Sequence, residues 1–191
     1  ETSFFLAKTQ PSVHMSLREA SLLKRRSNPE TKTELGLIVK QMISDPNIAS
    51  KNWVYSQYDY RVGNRTIKAP AYAGAAGIWL KEENGFLGLT MDSSPEQVFL
   101  NPLEGSKNTV YESFRNLVSS GYEPLGITNC LNFGNPEKDE VGYQFTQSIE
   151  GISQACEELS IPVVSGNVSF YNESEHVRVY PTPTIGMVGF A

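Results

Sequence analysis

The chain has 191 residues, enough for one domain with a proper core and too few for two complete ones. Hydrophobic residues at 39% and charged residues at 19% are ordinary for a globular protein, and no apolar run approaches the roughly 20 residues that span a bilayer. A net charge of −5 and a pI of about 5.1 leave no global basic field for nucleic acid, so a phosphate-bearing ligand must find local donors or a metal.

Residues 1–30 carry no sustained period and gather Lys24, Arg25 and Arg26, which read as a solvated patch; the stretch is expected to be an arm or linker with room for a short helix over Ser16 to Arg25. No basic run followed by an apolar one opens the chain, so no secretory signal is read. One domain is expected over 31–191. From Thr31, Leu35, Ile38, Val39, Met42 and Ile43 recur at helical spacing until Asp45-Pro46. A second helix is expected over Asn47 to Asp59, with Ile48, Val54, Tyr55 and Tyr58 among its contacts, then a turn at Val62 to Arg65. The small residues of 69–77 lead into a hairpin, Ile78 to Lys81 with Phe86 to Met91, turned at Asn84-Gly85.

Asp92 to Pro95 reads as the next turn and Val98 to Leu100 as a short apolar run. A helix should start near Glu104 and end at Ser119 or Ser120, with Gly121 as its C-cap, Val110, Phe114, Leu117 and Val118 as its buried stripe, and Glu112 and Asn116 on a neighbouring face. Two buried strands follow, ending in Asn129-Cys130-Leu131-Asn132 and in Ser165-Gly166-Asn167-Val168-Ser169, joined by one crossover helix over Asp139 to Ser160. Strand, helix, strand makes the two strands parallel and sets their polar tips side by side at one end of a sheet, where α/β folds bind ligands. Beyond them, Glu173 to His176 reads as a polar turn, Val177 to Tyr180 as a strand, Pro181 to Pro183 as a bend and Ile185 to Phe190 as the last strand.

His14 and His176 read as solvated, and no nucleophile elbow, P-loop or dinucleotide fingerprint is present. Cys130 and Cys156, with no CxxC pair, fit two free thiols in a reducing cytosol. Gly166 offers a bare backbone amide, Asn167 an amide oxygen and Ser169 a hydroxyl, neutral groups that suit Mg²⁺ shared with substrate phosphates. Asn129 and Asn132 serve equally as ligand groups or as caps for neighbouring backbone. Glu112 with Asn116 is a second oxygen pair, in a pattern that most often marks a solvated helix face.

Four stretches carry a resemblance: Ser44-Asp45-Pro46-Asn47-Ile48-Ala49-Ser50-Lys51-Asn52-Trp53-Val54-Tyr55 with Gln57-Tyr58-Asp59, Leu131-Asn132-Phe133-Gly134-Asn135-Pro136-Glu137, Pro162-Val163-Val164-Ser165-Gly166-Asn167-Val168-Ser169-Phe170-Tyr171-Asn172-Glu173, and Tyr180-Pro181-Thr182-Pro183. Over about 31–191 the chain resembles the synthetase subunit of phosphoribosylformylglycinamidine synthase, in the N-terminal subdomain of its second homologous half. The resemblance implies the aminoimidazole-ribonucleotide-synthetase N-terminal fold, an α/β (α+β) domain with a mixed sheet, helices on one face, and a sheet that pairs with a homologous domain. It also implies a cytoplasmic ATP- and Mg²⁺-dependent C–N ligase of purine biosynthesis, converting formylglycinamide ribonucleotide to the amidine with ammonia from glutamine.

The same resemblance places nucleotide contacts at Asn129 and Gly166, a Mg²⁺ ligand at Asn167, a substrate contact at Ser169, and auxiliary metal ligands of larger relatives at Glu112 and Asn116. It implies as partners a homologous synthetase half or a second copy, a glutamine amidotransferase subunit and a small accessory subunit. Three family aspartates are replaced, by Asn129, Gly74 and Asn101. Phosphoryl transfer rests on positioning and charge neutralisation, which these groups can share but not complete, so the isolated chain is expected to be inactive. A non-catalytic assembly module pairing with a homologous domain is the alternative. Either way a half-barrel leaves an apolar face, and a dimer or hetero-pair is expected.

Overall fold

The computed structural model describes residues 32–46, 48–69 and 73–191. The expectations for the arm, the basic cluster and His14 lie outside these residues. The described residues divide into two compact units, with those up to Asp59 in one and Tyr60 to Ala191 in the other.

In the first unit the expected helix forms as α1, Lys32–Ser44. Its apolar stripe is exposed at Leu35, Val39, Met42 and Ile43. The second expected helix shrinks to one turn, α2, Asn52–Tyr55, and Ile48, Val54 and Tyr58 are exposed rather than packed. Lys51 caps α2 without a side-chain hydrogen bond, and four residues hold too few intrahelical bonds to propagate unaided.

In the second unit a 3₁₀ turn, Val62–Asn64, with Gly63 and Asn64 at positive φ, precedes an unanticipated strand β1, Thr66–Lys68. The hairpin forms as β2, Ala76–Leu80, and β3, Gly85–Ser93, so Asp92 and Ser93 belong to a strand and not to a turn. The apolar run at 98–100 is helical: α3, Pro95–Leu100, starts with proline in its first turn and buries Val98. Asn101 then caps α4, Pro102–Ser119, accepting from the Glu104 amide at 3.2 Å, so the short side chain at this position has a structural use. Val110 and Leu117 are buried as expected, whereas Val118 is exposed. Gly121, at φ 90°, follows the helix as its sequence position requires.

β4, Glu123–Asn132, α5, Asp139–Leu159, and β5, Val163–Ser169, form the crossover unit, and β6, Thr182–Phe190, completes a six-stranded sheet in the order β1-β2-β3-β6-β4-β5. β4 and β5 are parallel and every other pair is antiparallel. Val177 to Tyr180 is not a strand; it contributes a single bridge, Glu173 to Arg178. α4 and α5 pack together over the sheet, and the core of Val110, Leu117, Ile127, Leu131, Phe133, Val141, Ile185 and Met187 fills the space beneath them. Close approach is built in at Gly151, where a Cβ would lie 2.2 Å from the Leu103 carbonyl oxygen. β5 corrects the expectation of a buried strand. It is the sheet's last member, and Val163, Val164 and Val168 are exposed at 46%, 70% and 46%.

Candidate functional site

The β4–β5 register sets the polar tips together. Asn129 pairs with Gly166, Cys130 with Asn167, and Asn132 with Ser169. Successive strand residues point to opposite faces, so these pairs sort into two groups. Asn129 stands between the buried Ile127 and Leu131 on the helix-covered side, and a Cβ at Gly166 would fall 2.3 Å from its Oδ1. Cys130, Asn132 and Asn167 share the other face, where Asn132 Nδ2 and Asn167 Nδ2 approach the Cys130 sulfur at 3.5 and 3.8 Å. Thr128 and Ser165 join hydroxyls there at 2.9 Å. The tips are adjacent, but Asn129 and Asn167 do not converge into one pocket from the same side. β5, the outer strand, has no neighbour beyond it, and Gly166 leaves its backbone without a side chain there.

Asn172, immediately beyond β5, ties the two tips. Its Nδ2 donates to the carbonyls of Phe133 and Ser169 at 2.9 and 2.8 Å, and its Oδ1 accepts from the Ser169 hydroxyl at 3.2 Å. The sequence showed this residue only as part of a motif; its side-chain role needs the fold. Glu173 latches the following loop, accepting from the Asn135 amide at 3.0 Å and pairing with Lys138 at 2.5 Å, contacts that hold its carboxyl below the usual range. A shallow cleft of about 340 Å³ opens between Phe99, Lys138 and residues 173–180. It lies on the loop and does not include Asn129, Gly166, Asn167 or Ser169.

The second oxygen pair has a partner that sequence reasoning placed in a turn. Asp92 accepts from Ser113 Oγ at 2.6 Å and from Asn116 Nδ2 at 2.8 Å. Burial, and next the Asp92 charge, push the Glu112 carboxyl up. A Cβ at Gly74 would sit 3.1 Å from Asn116 Oδ1, so Gly74 lies at this cluster, whereas Asn129 is at the tip and Asn101 at a helix cap. Among the described residues no group of three or more His, Cys, Asp or Glu is arranged to hold a metal.

A six-stranded mixed sheet with two helices on one face and a polar parallel tip defines the class. The family model "AIR synthase related protein, N-terminal domain" matches residues 73–191, more than half of the chain, and the chain belongs to that family. The phosphoribosylformylglycinamidine synthase subunit PurL of Petrotoga mobilis is 46% identical over 187 residues, 97% of this chain and 25% of its own length. That of Caldanaerobacter subterraneus is 49% identical over 156 residues, 82% of this chain and 21% of its own. The structure of PurLQS from Thermotoga maritima superposes with a TM-score of 0.69 at 35% identity, covering 75% of this chain and 24% of that one. T. maritima PurL complexed with FGAR gives 0.65 at 34%, covering 75% and 23%. This chain therefore spans about a quarter of the length of the relatives it matches.

Proposed function

We propose that this chain supplies one wall of the active site of a phosphoribosylformylglycinamidine synthase, an ATP-dependent ligase that makes the amidine from formylglycinamide ribonucleotide. The observation that carries this reading is the register that sets Asn129 beside Gly166 and Asn132 beside Ser169 at an uncovered sheet edge. Asn129 and Gly166 contact the nucleotide, the glycine because its bare backbone lets a phosphate approach. Ser169 contacts the substrate. Asn167 has its amide nitrogen directed at Cys130, which leaves its oxygen for a cation; a Mg²⁺ ion held by one such neutral oxygen and by phosphates fits the donors present, with carboxylates supplied by another segment. Such an ion would neutralise charge on the transferred phosphoryl group. Similar structures support the nucleotide and substrate: T. maritima PurL is complexed with ATP in one and with FGAR in another.

The open sheet face supports the accompanying proposal that a homologous half completes the site, in the same polypeptide or a separate one. Met91, on that face by its register with Gly186, is 79% exposed. The similar PurLQS structure supports a multi-subunit setting, in which the amidotransferase and small subunit deliver ammonia. In this reading the enzyme works in the cytoplasm. Glu112 and Asn116, with Asp92, form the auxiliary metal site.

Gly166→Ala tests the assignment. Its Cβ displaces the movable Asn129 amide rather than backbone, so the thermal midpoint of the assembled synthase should hold while ATP affinity falls about tenfold, roughly 1.4 kcal/mol. Unchanged ATP affinity in Gly166→Ala, or no ATP binding by wild type with the remaining segments supplied, would favour the assembly-module reading.

A further inference from the structure

Among the described residues four other than glycine adopt positive φ: Asn64, Asn84, Ser160 and Tyr171. The first three have local reasons. Asn64 and Asn84 lie in turns and are of the residue type that best tolerates the left-handed region, and Ser160 ends α5, where helices commonly finish that way. Tyr171, at φ 60°, is bulky and has no such excuse. Its backbone is pinned on both sides: its own amide donates to the Gly134 carbonyl at 3.0 Å, the Asn172 amide to the Phe133 carbonyl at 3.1 Å, and the Asn172 side chain clamps the Ser169 and Phe133 carbonyls. Glycine would make this reversal without strain.

Nor does the ring repay the strain by packing. Its neighbour Phe170 packs edge-to-face against Phe145 with ring centroids 4.9 Å apart, but Tyr171 is 58% exposed. An aromatic side chain held out on a strained backbone, two residues past a binding strand, is the arrangement expected where function and not folding selects the conformation.

We propose that Tyr171 is a substrate-specificity residue, a wall against which the ribonucleotide acceptor lies. The inference rests on the assignment of Ser169 to that acceptor. Ser169 is two residues away and its hydroxyl and carbonyl are held by Asn172, the residue after Tyr171, so the hydroxyl and the backbone from which the ring projects are fixed relative to each other. The phenol gives an apolar face for the ribose and a polar tip for its hydroxyls or phosphate. ATP, assigned to Asn129 and Gly166 further back along the strands, is not expected to touch it.

The test compares wild type, Tyr171→Gly, Tyr171→Phe and Ser169→Ala in the assembled synthase, measuring KM for formylglycinamide ribonucleotide and for ATP, kcat, and thermal midpoint. Tyr171→Gly should raise KM for the acceptor about tenfold, leave KM for ATP within about twofold, and hold or raise the midpoint, because the strain is relieved. Tyr171→Phe should retain most of the acceptor affinity. A lower midpoint or loss of assembly in Tyr171→Gly would overturn the proposal by showing that the ring is a packing residue, and so would unchanged acceptor KM with Ser169→Ala impaired. If Ser169→Ala is also without effect, the assignment of the tip to the acceptor falls, and this inference with it.

Discussion

At the tip of β4 and β5, Asn167 is exposed and its amide reaches no closer partner than the Cys130 sulfur at 3.8 Å, with the strand edge beside it open. At the cluster between β3 and α4, both oxygens of Asp92 are already taken, one by Ser113 and one by Asn116. Both regions are built from amides, hydroxyls and oxygens of the kinds that hold cations and phosphates. The difference lies in what remains for a ligand. The tip is neutral, and although the Ser169 hydroxyl is bonded to Asn172, the Asn167 oxygen and the open strand edge remain in reserve for a charged ligand. The cluster is charged but engaged with itself, and burial and then the Asp92 charge push up the pKa of its remaining carboxylate, Glu112. Residue type alone does not separate a site from a structural network; the state of the partners does.

The largest effect that would break this comparison lies at Asn172, which holds the tip in shape. Asn172→Ala removes three side-chain hydrogen bonds, and although the Phe133 and Ser169 carbonyls keep the backbone amides of Asn172 and Phe133 as donors, the expected cost is about 2–3 kcal/mol in denaturant unfolding. If the loss is instead within about 0.5 kcal/mol, the tip is not preorganised and water replaces the asparagine freely. Next is Asp92→Ala. It strands the Asn116 amide and deprives buried Ser113 of its shorter acceptor, although the hydroxyl keeps a 3.4 Å contact to the Ile185 carbonyl. Unfolding should show a cost of about 1–2 kcal/mol, smaller than at Asn172 because two side-chain hydrogen bonds are lost rather than three.

Much of this contrast was legible before the fold, and the rest was not for identifiable reasons. The crossover unit, the parallel tips and the long helices follow from period and punctuation, because α4 and α5 each bury one continuous stripe. An apolar run as short as 98–100 carries no choice between a strand and a buried turn of helix; Pro95 in the first turn decides for the helix. Val177 to Tyr180 alternates like a strand but has only one bridging residue to pair with. The register between β4 and β5 cannot be read from either strand alone, and it determines which of Asn129 and Asn167 faces the helices. Asp92 was hidden for a related reason, since its partners are 21 and 24 residues away.

The smallest effect is also the sharpest discriminator. Burial and the Asp92 charge raise the folded-state pKa of Glu112 above its unfolded value. A carboxyl raised in this way stabilises the fold below its unfolded pKa, and that contribution is lost as pH rises through the folded one, leaving a net cost at neutral pH. Glu112→Gln removes the titration. Without divalent cations the variant should be more stable than wild type at pH 7, by less than about 1 kcal/mol because the group is solvent-screened, and the advantage should vanish below about pH 4. Added Mg²⁺ then tests whether the cluster is as closed as its hydrogen bonds indicate. If Mg²⁺ raises the wild-type midpoint but not that of Glu112→Gln, the ion binds strongly enough to compete with the internal network, and the cluster joins the tip as an open site. If neither midpoint moves, its oxygens serve the fold, and the proposed auxiliary metal site is lost.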